Sequence, residues 1–142
     1  MKRQVSISIS SILLILLIAA AAMLTGCAPR TTVGDAEIIA EKTLGNGATT
    51  FTFTVVNAEN KATVYTVKTD AENLRGALTE NGLIPEGNAG DLVNTVDGIT
   101  ADYSVDESWW KLLCNGEMVN YGVDDAAITE GADYAFVYTR GF

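Results

Sequence analysis

The most regular pattern in the chain is "TTFTFTVVN", in which Phe51, Phe53 and Val55 alternate with Thr50, Thr52 and Thr54. Successive side chains on a strand point to opposite faces, so this period of two predicts a half-buried strand. "NAENK" reads as a turn, and "ATVYTVKT" as the returning strand with Tyr65 and Val67 on one face. The period then changes. In "TDAENLRGALTENGL", Leu74, Ala77 and Leu78 fall at i, i+3 and i+4, the apolar stripe of a helix of about three turns. Thr69 and Glu72 have the spacing of a capping box, and Gly82 supplies the stop. A helix with one apolar stripe needs a sheet to lie on. After the loop "IPEGNAG", "DLVNTV" runs into Asp97-Gly98, a favoured hairpin dipeptide, and "ITADYSV" is expected to extend beyond it as a strand. "SWWKLLC" reads as a strand closed by Asn115-Gly116, followed by "EMVNY", the irregular "GVDDAAITEGAD" and a last strand "YAFVYTR". Tyr134, Phe136 and Tyr138 share a face of that last strand. Hairpin, helix, then strands predicts an α+β domain, with one helix crossing a mostly antiparallel sheet.

The opening of the chain follows none of these periods. Lys2 and Arg3 precede an unbroken apolar run from Ile12 to Leu24, which ends in Leu24-Thr25-Gly26-Cys27. The run is short for a membrane-spanning helix, which needs about 20 residues, and it suits the core of a signal peptide. Its ending matches a lipobox, in which a small residue precedes a cysteine that is lipidated and becomes the new N-terminus. We therefore expect a cleaved lipoprotein signal peptide over 1–26 and a lipid-anchored tether over 27–48. An outward-facing α+β domain would then occupy 49–142. Within the tether, "DAEIIAEK" reads as either a first strand or a helical turn.

Composition narrows the function classes. Without Lys2 and Arg3 the chain carries seven basic residues against eighteen acidic ones, a net charge of −11. So acidic a surface repels phosphate backbones, which excludes nucleic acid as a partner, and the acyl chains must hold the protein to the membrane. With Cys27 lipidated, Cys114 is left alone and no internal disulfide can form. In the apolar setting "KLLCN" it reads as a small buried hydrophobe. The chain has no histidine. That removes Ser-His-Asp and Cys-His pairs, HExxH zinc sites and any histidine base, so a non-catalytic binding protein is the better expectation. Asp97, Asp102, Asp106, Glu107, Asp124 and Asp125 offer oxygens of the kind calcium takes. No segment has the EF-hand pattern, though, and turn chemistry accounts for them. No metal site or cofactor is expected.

The two tryptophans pose the sharpest question. They are adjacent on a strand, so they face opposite ways. Trp110 shares its side with Leu112 and Cys114, the more uniformly apolar set, and is assigned to the core. Trp109 lies with Lys111, on a face at least partly wet. There its indole either offers a flat surface and an N–H to a ligand, or covers the sheet edge and packs under the 123–133 loop. Tyr121 and Tyr103 flank the same strand. With Trp109 they make either a platform for a flat ring system or an ordinary hydrophobic cluster.

"TDAENLRGALTENGLI", "VNTVDGITADY", "SWWKLLCNGE" and "YGVDDAAITEGADYAFVYT" occur in the order and spacing of the transcobalamin-like C-terminal domain family, which the chain resembles over roughly residues 66–139. The resemblance implies a β-grasp-like fold that binds soluble ligands, and it makes cobalamin or another corrinoid the candidate ligand rather than a cofactor. In transcobalamin-like proteins a large helical domain supplies the other wall of the site, and no such domain is present in this sequence. The resulting expectation is an extracytoplasmic binding protein held to the membrane through Cys27, with Trp109, Tyr103 and Tyr121 at its ligand site. It would work beside a transporter or surface protein. The alternative is a structural or protein-interaction module without a small-molecule ligand.

Overall fold

Phe51, Phe53 and Val55 turn inward as their alternation requires, and all three are buried. They belong to the third strand of the chain. The computed structural model describes residues 32–142, so the expected signal peptide, the lipidated Cys27 and the first residues of the tether lie outside the described residues. The strands are β1 (Thr32–Val33), β2 (Ala36–Gly45), β3 (Thr49–Val56), β4 (Lys61–Thr69), β5 (Thr95–Val96), β6 (Ile99–Thr100), β7 (Ser108–Cys114), β8 (Glu117–Met118) and β9 (Asp133–Arg140). Two helices complete the described elements, α1 (Leu74–Glu80) and α2 (Tyr103–Asp106). One sheet runs in the order β1-β2-β4-β3-β9-β7-β8, and β5 pairs with β6 as a separate ribbon. The fold is α+β.

Leu74, Ala77 and Leu78 of α1 lie fully buried on one face of the sheet. They pack with Phe51, Phe53, Tyr65, Val67, Trp110, Leu112 and Phe136 into the main core. Edge-to-face contacts of Phe53 and of Trp110 with Phe136, at 6.0 and 6.2 Å, join the two halves of the sheet. The face away from α1 is only partly covered: the start of β2 lays Ala36 and Ile38 against Val56, Ala62 and Val137.

The turn dipeptides behave as their chemistry demands. Asp97 and Gly98 have φ of 51° and 77°, and Asn115 and Gly116 have 51° and 84°, the positive pairs of tight hairpin turns. Gly82, with φ 71°, ends α1. Its N–H reaches the Thr79 carbonyl, and the Leu83 N–H reaches that of Leu78, which satisfies two free carbonyls of the last turn. In the "TLGNGA" turn, a Cβ on Gly47 would stand 2.1 Å from the Thr69 carbonyl carbon, so the crossing over the end of β4 needs glycine.

Five expectations are corrected. Residues 36–45 are a strand and not tether: β2 pairs in parallel with β4, so the ordered sheet begins before residue 49. A register shift between Ile38 and Ala40 breaks the alternation, which is why "DAEIIAEK" has no clean period. The middle of the sheet is parallel, because β3 pairs with β9 across the long excursion that contains α1. With β2–β4 also parallel, the sheet is mixed. The helix spans two turns, and its cap is Asn73, whose side chain accepts from the Gly76 N–H. Thr69 instead accepts from the Ala71 N–H and donates to Glu80, tying the end of β4 to the last turn of the helix. In "ITADYSV" the strand stops at Thr100, because the Asp102 carboxylate caps α2 by accepting from the Ser104 N–H. "EMVNY" forms a strand only over Glu117 and Met118, with one further bond from the Val119 N–H to the Leu112 carbonyl at 3.2 Å.

Candidate functional site: an apolar cleft beside β7

Trp110 and Leu112 sit on the α1-facing side of β7, and Phe136 sits beside them on β9. They form the floor of a cleft of about 430 Å³. Gly90–Val93 and Val119–Asp125 form its walls, with Arg75 reaching in from the first turn of α1. The floor is rigid: the Trp110 indole donates to the Asn94 carbonyl at 3.1 Å, and its ring meets Tyr138 edge-on at 5.4 Å. Three large apolar side chains at the mouth are exposed, Leu92 at 83%, Met118 at 63% and Tyr121 at 38%. Exposed apolar groups gathered round a concavity, rather than scattered singly, are the usual mark of a surface that meets something.

One end of the cleft is polar and internally satisfied. Arg75 donates to both carboxylate oxygens of Asp124, at 2.6 and 3.0 Å, and to the Asp91 carbonyl at 2.6 Å. The Gly90 N–H donates to Asp124 as well, at 2.9 Å. The Arg75 guanidinium, followed by the Gly90 N–H, holds the Asp124 carboxyl below its usual range, and the same pairing raises Arg75. Four groups thus clamp the helix start to both walls. In the core, Tyr134 donates to the Ala127 carbonyl at 2.8 Å. Burial, with Cys114 and Tyr121 adding to it, pushes its phenol up to about 12. It serves there as a hydrogen-bond donor. Tyr65 lies across the core and donates to Asp97 at 2.6 Å, which pins the β5–β6 ribbon; burial and that carboxylate raise it far above the ordinary phenol value.

Of the three residues expected at the site, Tyr121 and Trp109 line the same cleft and Tyr103 does not. Tyr121 lines the cleft. Trp109 borders it, but its indole N–H donates to the Gly141 carbonyl at 2.8 Å, and its ring lies 5.8 Å from that of Phe142. Tyr103, on α2, is 5.7 Å from the other side of the same Phe142 ring. Lys111 sits 5.8 Å from the Trp109 ring. Tyr103 and Trp109 therefore belong to an aromatic cluster on the face of β7 away from the cleft floor. The assignment of Trp110 to the core is right, but its ring is also the floor of the cleft. Arg75, Leu92 and Met118 were missed, and Asp124 was read as a turn residue and not as a partner of Arg75. Leu92 and Met118 lie in segments without a period, and nothing in sequence links an arginine on a helix to an aspartate 49 residues later.

Residues 71–140 match the family model described as a domain of unknown function, DUF4430. No curated protein matches the chain. Among solved structures, the chain is similar to a protein from Ruminococcus gnavus ATCC 29149 provisionally described as metal binding. The two are 28% identical, with a TM-score of 0.61, over 67% of this chain and all of that one. It is also similar to haptocorrin, solved in complex with Cbi, at 14% identity and a TM-score of 0.53. That match covers 70% of this chain and 27% of haptocorrin, so the chain spans about a quarter of that protein's length. Among the described residues, no three His, Cys, Asp or Glu side chains are gathered as metal ligands. Over residues 71–140, from just before α1 to the end of β9, the chain is similar to the DUF4430 domain, and its fold is one that it shares with part of haptocorrin.

Proposed function

We propose that this chain is a lipid-anchored, extracytoplasmic, non-catalytic binding protein whose cleft beside β7 takes part of a soluble small molecule, a corrinoid being the candidate. The observation that carries this reading is the apolar cleft itself, with its ordered tryptophan floor and the exposed Leu92, Met118 and Tyr121 at its mouth. At about 430 Å³ it lies at the small end of ligand sites, so it would cover one face or edge of a macrocycle rather than enclose it. A transporter or surface protein would then supply the second wall and receive the ligand.

The strand order β4-β3-β9-β7-β8, with its parallel pair in the middle, supports the β-grasp reading. The fold shared with haptocorrin supports the choice of corrinoids as the first compounds to try. The absence of histidine from the sequence and the internal pairing of Arg75 with Asp124 favour binding over catalysis. Lipidation at Cys27 rests on the basic start, the apolar run and the position of the cysteine.

The test is a titration of the protein with cobinamide and with cobalamin, read by tryptophan fluorescence with inner-filter correction. Saturable quenching is expected, weakened at least tenfold by Tyr121→Ala or Leu92→Asp and kept by Trp109→Ala. No saturation up to about 100 μM, a free energy near −5.5 kcal/mol, would overturn the corrinoid reading and leave the cleft as a surface for a partner protein.

A further inference from the structure

The aromatic cluster of Tyr103, Trp109 and Phe142 stands beside the cleft, which Trp109 also borders. Tyr103 is 49% exposed, Val105 79% and Phe142 fully exposed, and ring contacts through Phe142 join Tyr103 to Trp109 in one patch. The patch is held in place: the Gly141 N–H donates to the Glu107 carbonyl at 3.0 Å, and the Gly141 carbonyl takes the Trp109 indole. Rings with one apolar body and one polar tip are the side chains that favour the boundary between lipid and water.

The position of the patch names its occupant. Trp109 and Lys111 project from the same face of β7, the face away from α1. Lys111 also lines a hollow of about 260 Å³ together with Gly34 and Asp35, the turn between β1 and β2 near the start of the described residues. The chain therefore enters the domain on the face that carries the aromatics. Four residues separate Cys27 from Thr32, and the five Cα–Cα steps give a reach of at most roughly 18 Å. An acyl anchor at Cys27 would hold this face, and not the cleft face, within reach of the bilayer.

We infer that Tyr103, Trp109 and Phe142 dock on the lipid surface, so that the sheet lies face-down on the membrane and the cleft opens outward. The inference rests on lipidation at Cys27 and goes beyond the ligand reading, since it assigns a second surface. The attraction is apolar: Asp102, Asp106 and Glu107 adjoin the patch beside Lys111 and Arg140. Raising the salt concentration should then preserve or strengthen contact with anionic vesicles, the opposite of binding by a basic patch.

The experiment uses the full chain, processed in a bacterial host and reconstituted into vesicles of phosphatidylglycerol and phosphatidylethanolamine with brominated acyl chains. In a Trp110→Phe variant, Trp109 is the sole tryptophan, excited at wavelengths that tyrosine does not absorb. It should be quenched by bromines about 5–10 Å below the headgroups, and Tyr103→Ser with Phe142→Ser should abolish the quenching. Mass spectrometry of the same sample reads Cys27. An unmodified Cys27 would overturn the anchor and the docking with it. A lipidated Cys27 with unquenched Trp109 would overturn the docking alone. Should Trp110→Phe fail to fold, hydrogen exchange of the unaltered protein decides. Slowing of residues 103–109 on vesicles relative to detergent supports docking, and unchanged exchange overturns it.

Discussion

Arg75 and Asp124 decide the shape of the cleft, because together they tie the start of α1 to both walls. Each is mostly shielded, with 12% and 24% of its side chain exposed, so neither is an ordinary surface charge. Arg75→Met would leave the Asp124 carboxylate with only the Gly90 N–H, at an expected cost of about 1–3 kcal/mol. The acid limb carries a second signature. Because Asp124 is held below its unfolded value, its contribution is present above about pH 4 and is lost as the pH falls through the lowered folded value. Urea midpoints measured between about pH 5 and pH 3 should fall more steeply for the wild type than for Asp124→Asn. Parallel slopes would show that the pair does not tie the walls together.

At the scale of elements, the two-turn α1 is too short to persist on its own, and its terminal hydrogen bonds matter accordingly. Asn73 satisfies the start, and the Gly82 turn satisfies the end. Asn73→Ala should cost about 1 kcal/mol, read as a shift in urea midpoint at unchanged slope, whereas Glu72→Ala should change little. The reverse ranking would restore the capping box that the sequence suggests. The element that pattern reading left open between a strand and a helical turn, β2, was obscured by its bulge. The elements it read correctly, β3, β4, β7 and β9, pair with one another without a register shift. Both hairpins announced by Asp-Gly and Asn-Gly formed, because two consecutive positive φ values are a local demand that few other residue pairs meet.

The whole domain depends on one core clamped between α1 and the sheet, with Phe53 fully buried at its centre. Phe53→Ala should cost about 3–5 kcal/mol, a large part of the stability of a domain this size. The loss should appear as cooperative unfolding at much lower urea, because a single core has no second unit to retain its fold. Viewed as a whole, the molecule has two distinct surfaces on opposite sides of β7. The apolar cleft lies toward α1, and the aromatic patch lies away from it. The proposed ligand and the proposed membrane contact therefore share only Trp109, which borders the cleft and also belongs to the patch.

What the sequence determined by itself is whatever is encoded over a few residues. Alternation set the long strands, the i, i+3, i+4 stripe set α1, and the glycine turns set where the chain reverses. Adjacency alone placed Trp109 and Trp110 on opposite faces. The patterns over 66–139 pointed to the right fold. Only tertiary structure decided which strands meet. The parallel pairing of β3 with β9, the recruitment of β2 and the link from Arg75 to Asp124 each join residues far apart in the chain, and such pairings leave no local period. The same reason explains the site. The sequence could say that one tryptophan faces the core and the other does not. It could not say that the core-facing one would be left uncovered at a cleft, because that depends on where the 90–93 and 119–125 walls come to rest.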